Sequence, residues 1–368
     1  MSSKPTKKYF ENLDGLRALA AFSVIFTHLS YFILPDTKLK FGIKAIFSFG
    51  GVGGRLGVIF FFILSGFLIT YLLFTEQEFS KNIQIGKFYI RRVLRIWPLY
   101  FITLIIGFFI IPYLKGVGDE NASGWMYLLF LANFDHILHG FPTVSVLGVH
   151  WSVCVEEQFY IFWPVLFYLL KGKKYFLYGM IVLIIISESY YLFYGQNYKA
   201  GDYNLISCLK YLCIGGVIAY FSYFKLKFIT VFMNKINKFF TILIYVVSLI
   251  FILIQHKLLG HFAFYEVVYD IVPTLFFVFV ILDQNFAKNS FFKTGNYSIL
   301  TYLGKISYGL YLTHMIAMNI VLLFVKNPSE NLWIMYSSTI LLTLIFSHLS
   351  YKYIESYFLK YKDSFSRI

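Results

Sequence analysis

The chain has 368 residues, of which 59% are hydrophobic, 22% aromatic and only 14% charged, with a mean hydropathy of +0.69. Soluble domains run at about 45–50% apolar and about 25% charged, so a soluble globule is excluded. The excess of basic over acidic residues, 32 against 18, gives a net charge of +14, which by itself fits nucleic acid, an anionic membrane surface or loop charges that set topology.

In chain order, apolar runs fall at 15–34, 56–74, 96–113, 152–170, 175–194, 205–224, 239–255, 265–282, 300–325 and 331–351. At about 20 residues per crossing they predict an all-α integral membrane protein of about ten transmembrane helices. No low-complexity linker separates them, so 1–368 reads as a single membrane domain. Lys4, Lys7 and Lys8 ahead of the first run have the outline of a signal peptide. That run contains Asp14, Arg17 and His28 and lacks an A-x-A site, which makes it a retained first span. With both termini cytoplasmic, the inner segments hold 21 lysines and arginines, Lys171 and Arg367 among them, against 8 outside, including Lys38, Lys40, Lys44 and Arg55. This is the positive-inside bias. Spread over many short loops, it also sets aside a nucleic-acid partner.

The longest outer segment, 114–150, carries a semi-apolar run at 125–134 that is too short to cross and suits an interfacial or re-entrant helix. Gly50 to Gly57 do not follow the phosphate-cradling spacing; they read as glycines permitting close backbone approach before the second span, where Ser65 and Gly66 take a helix-packing position. Cys154, Cys208 and Cys213 show neither metal-ligand spacing nor an even-numbered framework, so no metal and no disulfide scaffold is expected.

Ionisable groups inside spans are costly and point to function. On a helix, the eleven residues from Arg17 to His28 return to one face about 16 Å further along, with Asp14 one turn below Arg17. Two readings stand. Asp14 and Arg17 can be a juxtamembrane ion pair with His28 hydrogen-bonded to a neighbouring helix, or His28 can be a buried base whose ordinary pKa of about 6.5 suits taking a proton from a hydroxyl. Arg91, Arg92 and Arg95 stand at the inner start of the third span, Arg92 and Arg95 on one face. They are either topogenic charge or a guanidinium site for a phosphorylated ligand, helped by the helix N-terminus. Glu156 and Glu157, at the outer end of the fourth span, need a cation, a donor or a proton. Pairing with Arg55 is one solution, and holding His28 or a substrate hydroxyl is another. In the ninth span Ser307, Tyr311 and His314 share a broad face, and His314 reads mainly as structural.

Together these segments resemble the membrane-bound acyltransferase 3 family, bacterial enzymes that acylate cell-surface sugars. The stretch Leu13-Asp-Gly-Leu-Arg-Ala-Leu-Ala-Ala-Phe-Ser-Val-Ile-Phe-Thr-His28 is similar to its opening motif, Phe61 to Ile69 to F-F-x-L-S-G-F-L-I, and Arg92-Val-Leu-Arg95 to R-x-x-R. Trp151 to Tyr160 is similar to W-S-x-x-V-E-E-Q-F-Y, Ile306-Ser-Tyr308 with Tyr311-Leu-Thr-His314 to I-S-Y-x-L-Y-L-x-H, and Tyr353-Ile-Glu355 to the closing I-E. Tyr357 stands where the family's I-E-x-P has proline. The chain stops at Ile368, like the family's stand-alone form without a hydrolase-like C-terminal domain.

The resemblance implies transfer of an acyl group, most often acetyl, from cytosolic acyl-CoA across the bacterial inner membrane to a sugar hydroxyl of a surface polysaccharide or its lipid-linked precursor. On that reading Arg91, Arg92, Arg95, Ser65 and Ser307 hold acetyl-CoA. His28 is the base or acyl carrier, Asp14 and Arg17 steady the channel, and Glu156 or Glu157 orients the acceptor. A proton-coupled transporter and a partner in polysaccharide export are the competing classes. No inverted repeat favours the first.

Overall fold

The computed structural model describes residues 9–33, 41–118, 121–170, 173–194, 198–261 and 265–365. Lys4, Lys7, Lys8, Lys38, Lys40, Lys171 and Arg367 of the charge count lie outside the described residues. Every regular element among the described residues is helical, as a chain embedded in hydrocarbon requires, since an unpaired backbone group there costs several kcal/mol. The helices are α1 (Glu11–Ile33), α2 (Phe41–Ser80), α3 (Ile85–Ile105), α4 (Ile111–Lys115), α5 (Gly124–Leu128), α6 (Ala132–His139), α7 (His150–Leu169), α8 (Lys173–Tyr194) and α9 (Tyr198–Tyr203). They continue as α10 (Leu205–Phe224), α11 (Leu226–Lys235), α12 (Lys238–Leu259), α13 (Tyr265–Phe286), α14 (Ser298–Lys305), α15 (Ser307–Phe324), α16 (Leu332–Ser350) and α17 (Ser356–Ser364).

Among the described residues eight helical stretches are long and apolar enough to cross a membrane: Gly53–Ser80, Ile85–Lys115, Lys174–Tyr194, Leu205–Phe224, Lys238–Gln255, Tyr269–Phe286, Ser307–Phe324 and Leu332–Tyr361. The two other expected spans coincide with α1 and α7. These are 23 and 20 residues long and carry carboxylates in their length.

Three boundaries differ from expectation, each for a physical reason. The helix of the second span, α2, begins at Phe41 and not near 56, so Gly50 to Gly57 are helical turns within it. Glycine's helix penalty of about 1 kcal/mol is smaller than the cost of leaving backbone unpaired in lipid. α3 starts at Ile85, so Arg92 and Arg95 lie two to three turns inside it, where the helix N-terminus no longer reaches them. The run at 300–325 breaks at Ile306 into α14 and α15.

Helix α1 packs along α2 and against α14 and α15, while α2 packs along α10. Small residues allow these approaches. A Cβ at Gly57 would stand 2.7 Å from the Ala20 carbonyl oxygen, and one at Gly66 would overlap the Leu212 carbonyl. The 125–134 run forms the short α5 and α6, separated at Phe130, whose φ is +57°. All three cysteines are buried and free.

Candidate active site

Helices α1, α2, α3, α7 and α15 enclose a cavity of about 400 Å³. Asp14 and Arg17 face it from α1, Ser65 and Glu76 from α2, and Arg91, Arg92 and Arg95 from α3. Ser152, Glu156 and Tyr160 come from α7, and Ser307, Tyr308 and Tyr311 from α15. Helical periodicity explains the α3 set: residues three or four apart share a face, so Arg92 and Arg95 face the cavity with Phe88 and Ile96 beside them.

Most of the cavity's charges are already paired. Arg17 Nη1 donates to Asp14 Oδ1 at 2.7 Å, and the Tyr9 hydroxyl donates to the other carboxylate oxygen. Arg91 Nη2 lies 2.8 Å from Glu76 Oε2, and its Nη1 donates to the Phe365 carbonyl at 3.1 Å. Ser65 Oγ and the Tyr160 hydroxyl donate to the two oxygens of Glu156 at 2.8 and 3.0 Å. Arg92 and Arg95 are different. Arg92 lies over the rings of Phe88 and Tyr160, each 5.5 Å away, and its buried Nε has no partner. Arg95 makes no hydrogen bond or ion pair among the described residues. Two guanidiniums without carboxylate partners among the described residues therefore stand in the cavity wall, a side-chain type whose planar fork matches carboxylate and phosphate geometry.

The structure brings nearly all the sequence candidates together, with three corrections. Glu157 does not line the cavity; Trp97 Nε1 donates to its Oε2 at 3.1 Å, and its Oε1 is unpartnered. Arg55 pairs with neither α7 carboxylate and instead meets Asp270 at 2.9 Å and Asp202 at 3.3 Å. His28 does not line the cavity either. It hydrogen-bonds through Nδ1 to Nε2 of His314 at 2.8 Å, and His314 Nδ1 lies 2.6 Å from the Tyr311 carbonyl oxygen. Tyr311, which lines the cavity, has its ring centroid 6.0 Å from that of His314 and 6.1 Å from that of Phe61. His314, Glu76, Tyr160 and Tyr308 were not singled out as site residues from sequence. The Glu156–Tyr160 spacing of one helical turn was the one local signal available, since His314 and Glu76 meet their partners across helices. Among the described residues no three His, Cys, Asp or Glu groups gather as a metal site.

The chain is thus a multi-pass helical membrane protein with a cavity in whose wall two guanidiniums lack carboxylate partners among the described residues, and with a histidine pair bonded to the backbone of the cavity-lining Tyr311. Over residues 10–352 the chain matches the profile of acyltransferase family 3, described as an acyltransferase domain, and it belongs to that family. It is 29% identical over 380 aligned positions to a Staphylococcus aureus (strain COL) protein named "Putative O-acetyltransferase", covering 96% of this chain and 58% of that one. It is 34% identical over 175 positions to the peptidoglycan O-acetyltransferase OatA of Listeria monocytogenes, covering 44% of this chain and 25% of that protein. The chain thus spans a little over half the length of the Staphylococcus relative. No solved structure matches.

Proposed function

We propose that this protein is an O-acyltransferase that moves an acetyl group from cytosolic acetyl-CoA to a sugar hydroxyl of a cell-envelope polysaccharide on the other side of the bacterial inner membrane. The observation that carries the reading is the pair of unpartnered guanidiniums, Arg92 and Arg95, in the wall of a cavity that runs on to Ser152 and Tyr311. Bidentate guanidinium forks match the phosphates of CoA. The names of the relatives supply the reaction and the acceptor class. The pantetheine arm lies along the cavity, flanked by Ser65 and Ser307, with the thioester at its Tyr311 end. Because Phe61 and Tyr311 line the cavity in ring contact and neither histidine lines it, these rings part to let the thioester reach His28. Asp14 holds Arg17 in place. Glu156, fixed by Ser65 and Tyr160, orients the acceptor or the donor at the cavity wall.

At His28 the hydroxyl loses its proton to the imidazole as its oxygen attacks the thioester carbonyl carbon. The C–S bond then breaks, and the thiolate leaves with the proton taken back from the imidazole; in the covalent alternative the same nitrogen carries the acyl group between donor and acceptor. The test uses purified protein in proteoliposomes supplied with labelled acetyl-CoA and a glycan acceptor. Wild type is expected to give acetylated glycan, and His28→Ala to keep its fold and its CoA binding but give no product. Solute uptake with no covalent product, or full transfer by His28→Ala, overturns the proposal.

A further inference from the structure

The proposed function leaves open which nitrogen of His28 is free to act, and the hydrogen-bond chain behind it answers this. His314 is 1% exposed and its Nδ1 faces the Tyr311 carbonyl oxygen at 2.6 Å. A carbonyl only accepts, so Nδ1 of His314 carries a proton. In the neutral ring its Nε2 is then a lone pair. That lone pair lies 2.8 Å from Nδ1 of His28, which must therefore be the donor. The ring centroids are 5.0 Å apart, much further than the two nitrogens, and the ring planes differ by 17°, so the imidazoles meet nitrogen to nitrogen rather than face on face. No carboxylate touches either ring among the described residues, so nothing present would stabilise a second proton on the pair. With its proton on Nδ1, neutral His28 has its lone pair on Nε2, the nitrogen pointing away from His314.

We propose that His314 is a positioning residue that locks His28 in the Nδ1–H form and so presents Nε2 as the base or acyl acceptor. This rests on the acyl-transfer reading only for what Nε2 then does; the proton's location is a property of the pair itself. In the transfer step Nε2 takes the hydroxyl proton and returns it to the departing CoA thiolate, while His28 Nδ1–H stays bonded to His314 throughout. A partial positive charge on His28 is thereby delivered against a lone pair.

The full-length protein, labelled with ¹⁵N-histidine and reconstituted in lipid, tests the first part by magnetic resonance, with the His28 signals assigned by their loss in His28→Ala. The expected wild-type spectrum shows neutral His28 protonated on Nδ1; a His28 protonated on Nε2 overturns the inference whatever the activity. In the acetyl-transfer assay His314→Leu is expected to lower turnover by about 100-fold, the scale of a misdirected general base, with CoA affinity unchanged. His314→Gln, whose amide oxygen can accept the same Nδ1–H, is expected to recover most of that loss. Equal turnover in wild type and His314→Leu, or a folded His314→Gln as slow as His314→Leu, overturns the positioning role. Absence of transfer by the wild type would instead remove the acyl-transfer reading, with the spectrum still deciding the proton's location.

Discussion

Arg91, Arg92 and Arg95 occupy one turn of α3, yet their surroundings assign them different work. Arg91 is held by Glu76 and by the Phe365 carbonyl, whereas Arg92 touches only ring faces and Arg95 has no polar partner among the described residues. A hydrogen bond to a charged group contributes about 1.5–3 kcal/mol, and 1.4 kcal/mol is a factor of ten. Arg92→Ala and Arg95→Ala should therefore each weaken acetyl-CoA binding by about ten-fold or more, read by calorimetry or as a raised KM, with thermal stability little changed. Arg91→Ala should do the reverse: it leaves the buried Glu76 carboxylate with the Gln84 N–H but no cation, so the melting temperature falls while CoA affinity changes less. If all three substitutions weaken CoA binding equally, the division fails. The arginines themselves were legible from the sequence, because an i, i+3 spacing fixes a shared face. Their partners were not: Glu76 is 15 residues from Arg91 and His314 is 286 from His28, and no local periodicity encodes a meeting of separate helices.

Between elements, the contact that sets the cavity's wall is made of backbone. α2 and α10 cross with Gly66 against the Leu212 carbonyl and Gly215 against the Ile63 carbonyl, and a Cβ at either position would overlap main-chain atoms that have no rotamer to change. Overpacking of this kind costs about 1–3 kcal/mol, more where backbone must move. Gly66→Ala should lower the melting temperature of the detergent-solubilised protein. Since Ser65 precedes Gly66 and donates to Glu156, it should also loosen the Ser65–Glu156–Tyr160 triangle and reduce transfer. Gly86→Ala is the matched control: nothing lies within 4 Å of that site, so stability should hold or rise slightly. An equal response of the two variants would refute the packing argument. Ser65 and Gly66 read correctly as a packing position from their sequence, and so did Gly57 as a site of close approach. The start of the second span is placed too late from sequence, at 56 instead of Phe41, because hydropathy marks the apolar core of a helix and not the glycine-containing turns ahead of it.

For the molecule as a whole, apolar runs were enough to recover helical class and most span positions, since hydrocarbon thickness dictates length and unpaired backbone is forbidden. They could not say how the bundle is tied together, and the clearest case is Arg55. It is ten residues before Ser65 on α2, about 15 Å along the axis, so it cannot reach the Glu156 that Ser65 holds. Its charge is used in a network joining α2, α8, α9, α10 and α13. Asp270 lies 2.9 Å from both Arg55 and Lys210; Asp202 adds a contact to Arg55 at 3.3 Å, and Glu188 one to Lys210 at 3.2 Å. Lys210 and Asp270 are 2% and 3% exposed, and the lysine's ammonium sits 4.0 Å over the Tyr191 ring. Removing one partner of such a buried cluster costs about 3–5 kcal/mol, because the remaining charge keeps its desolvation penalty. Asp270→Asn keeps the side chain's shape and leaves two cations sharing two more exposed carboxylates, so the protein should melt well below wild type. None of these five residues lines the cavity, so acetyl transfer per folded molecule, measured below the variant's melting temperature, should stay close to wild type. A double replacement, Asp270→Asn with Lys210→Met, removes a buried cation together with its partner and should regain part of the lost stability. A single variant as stable as wild type would show that the network does not hold these helices together.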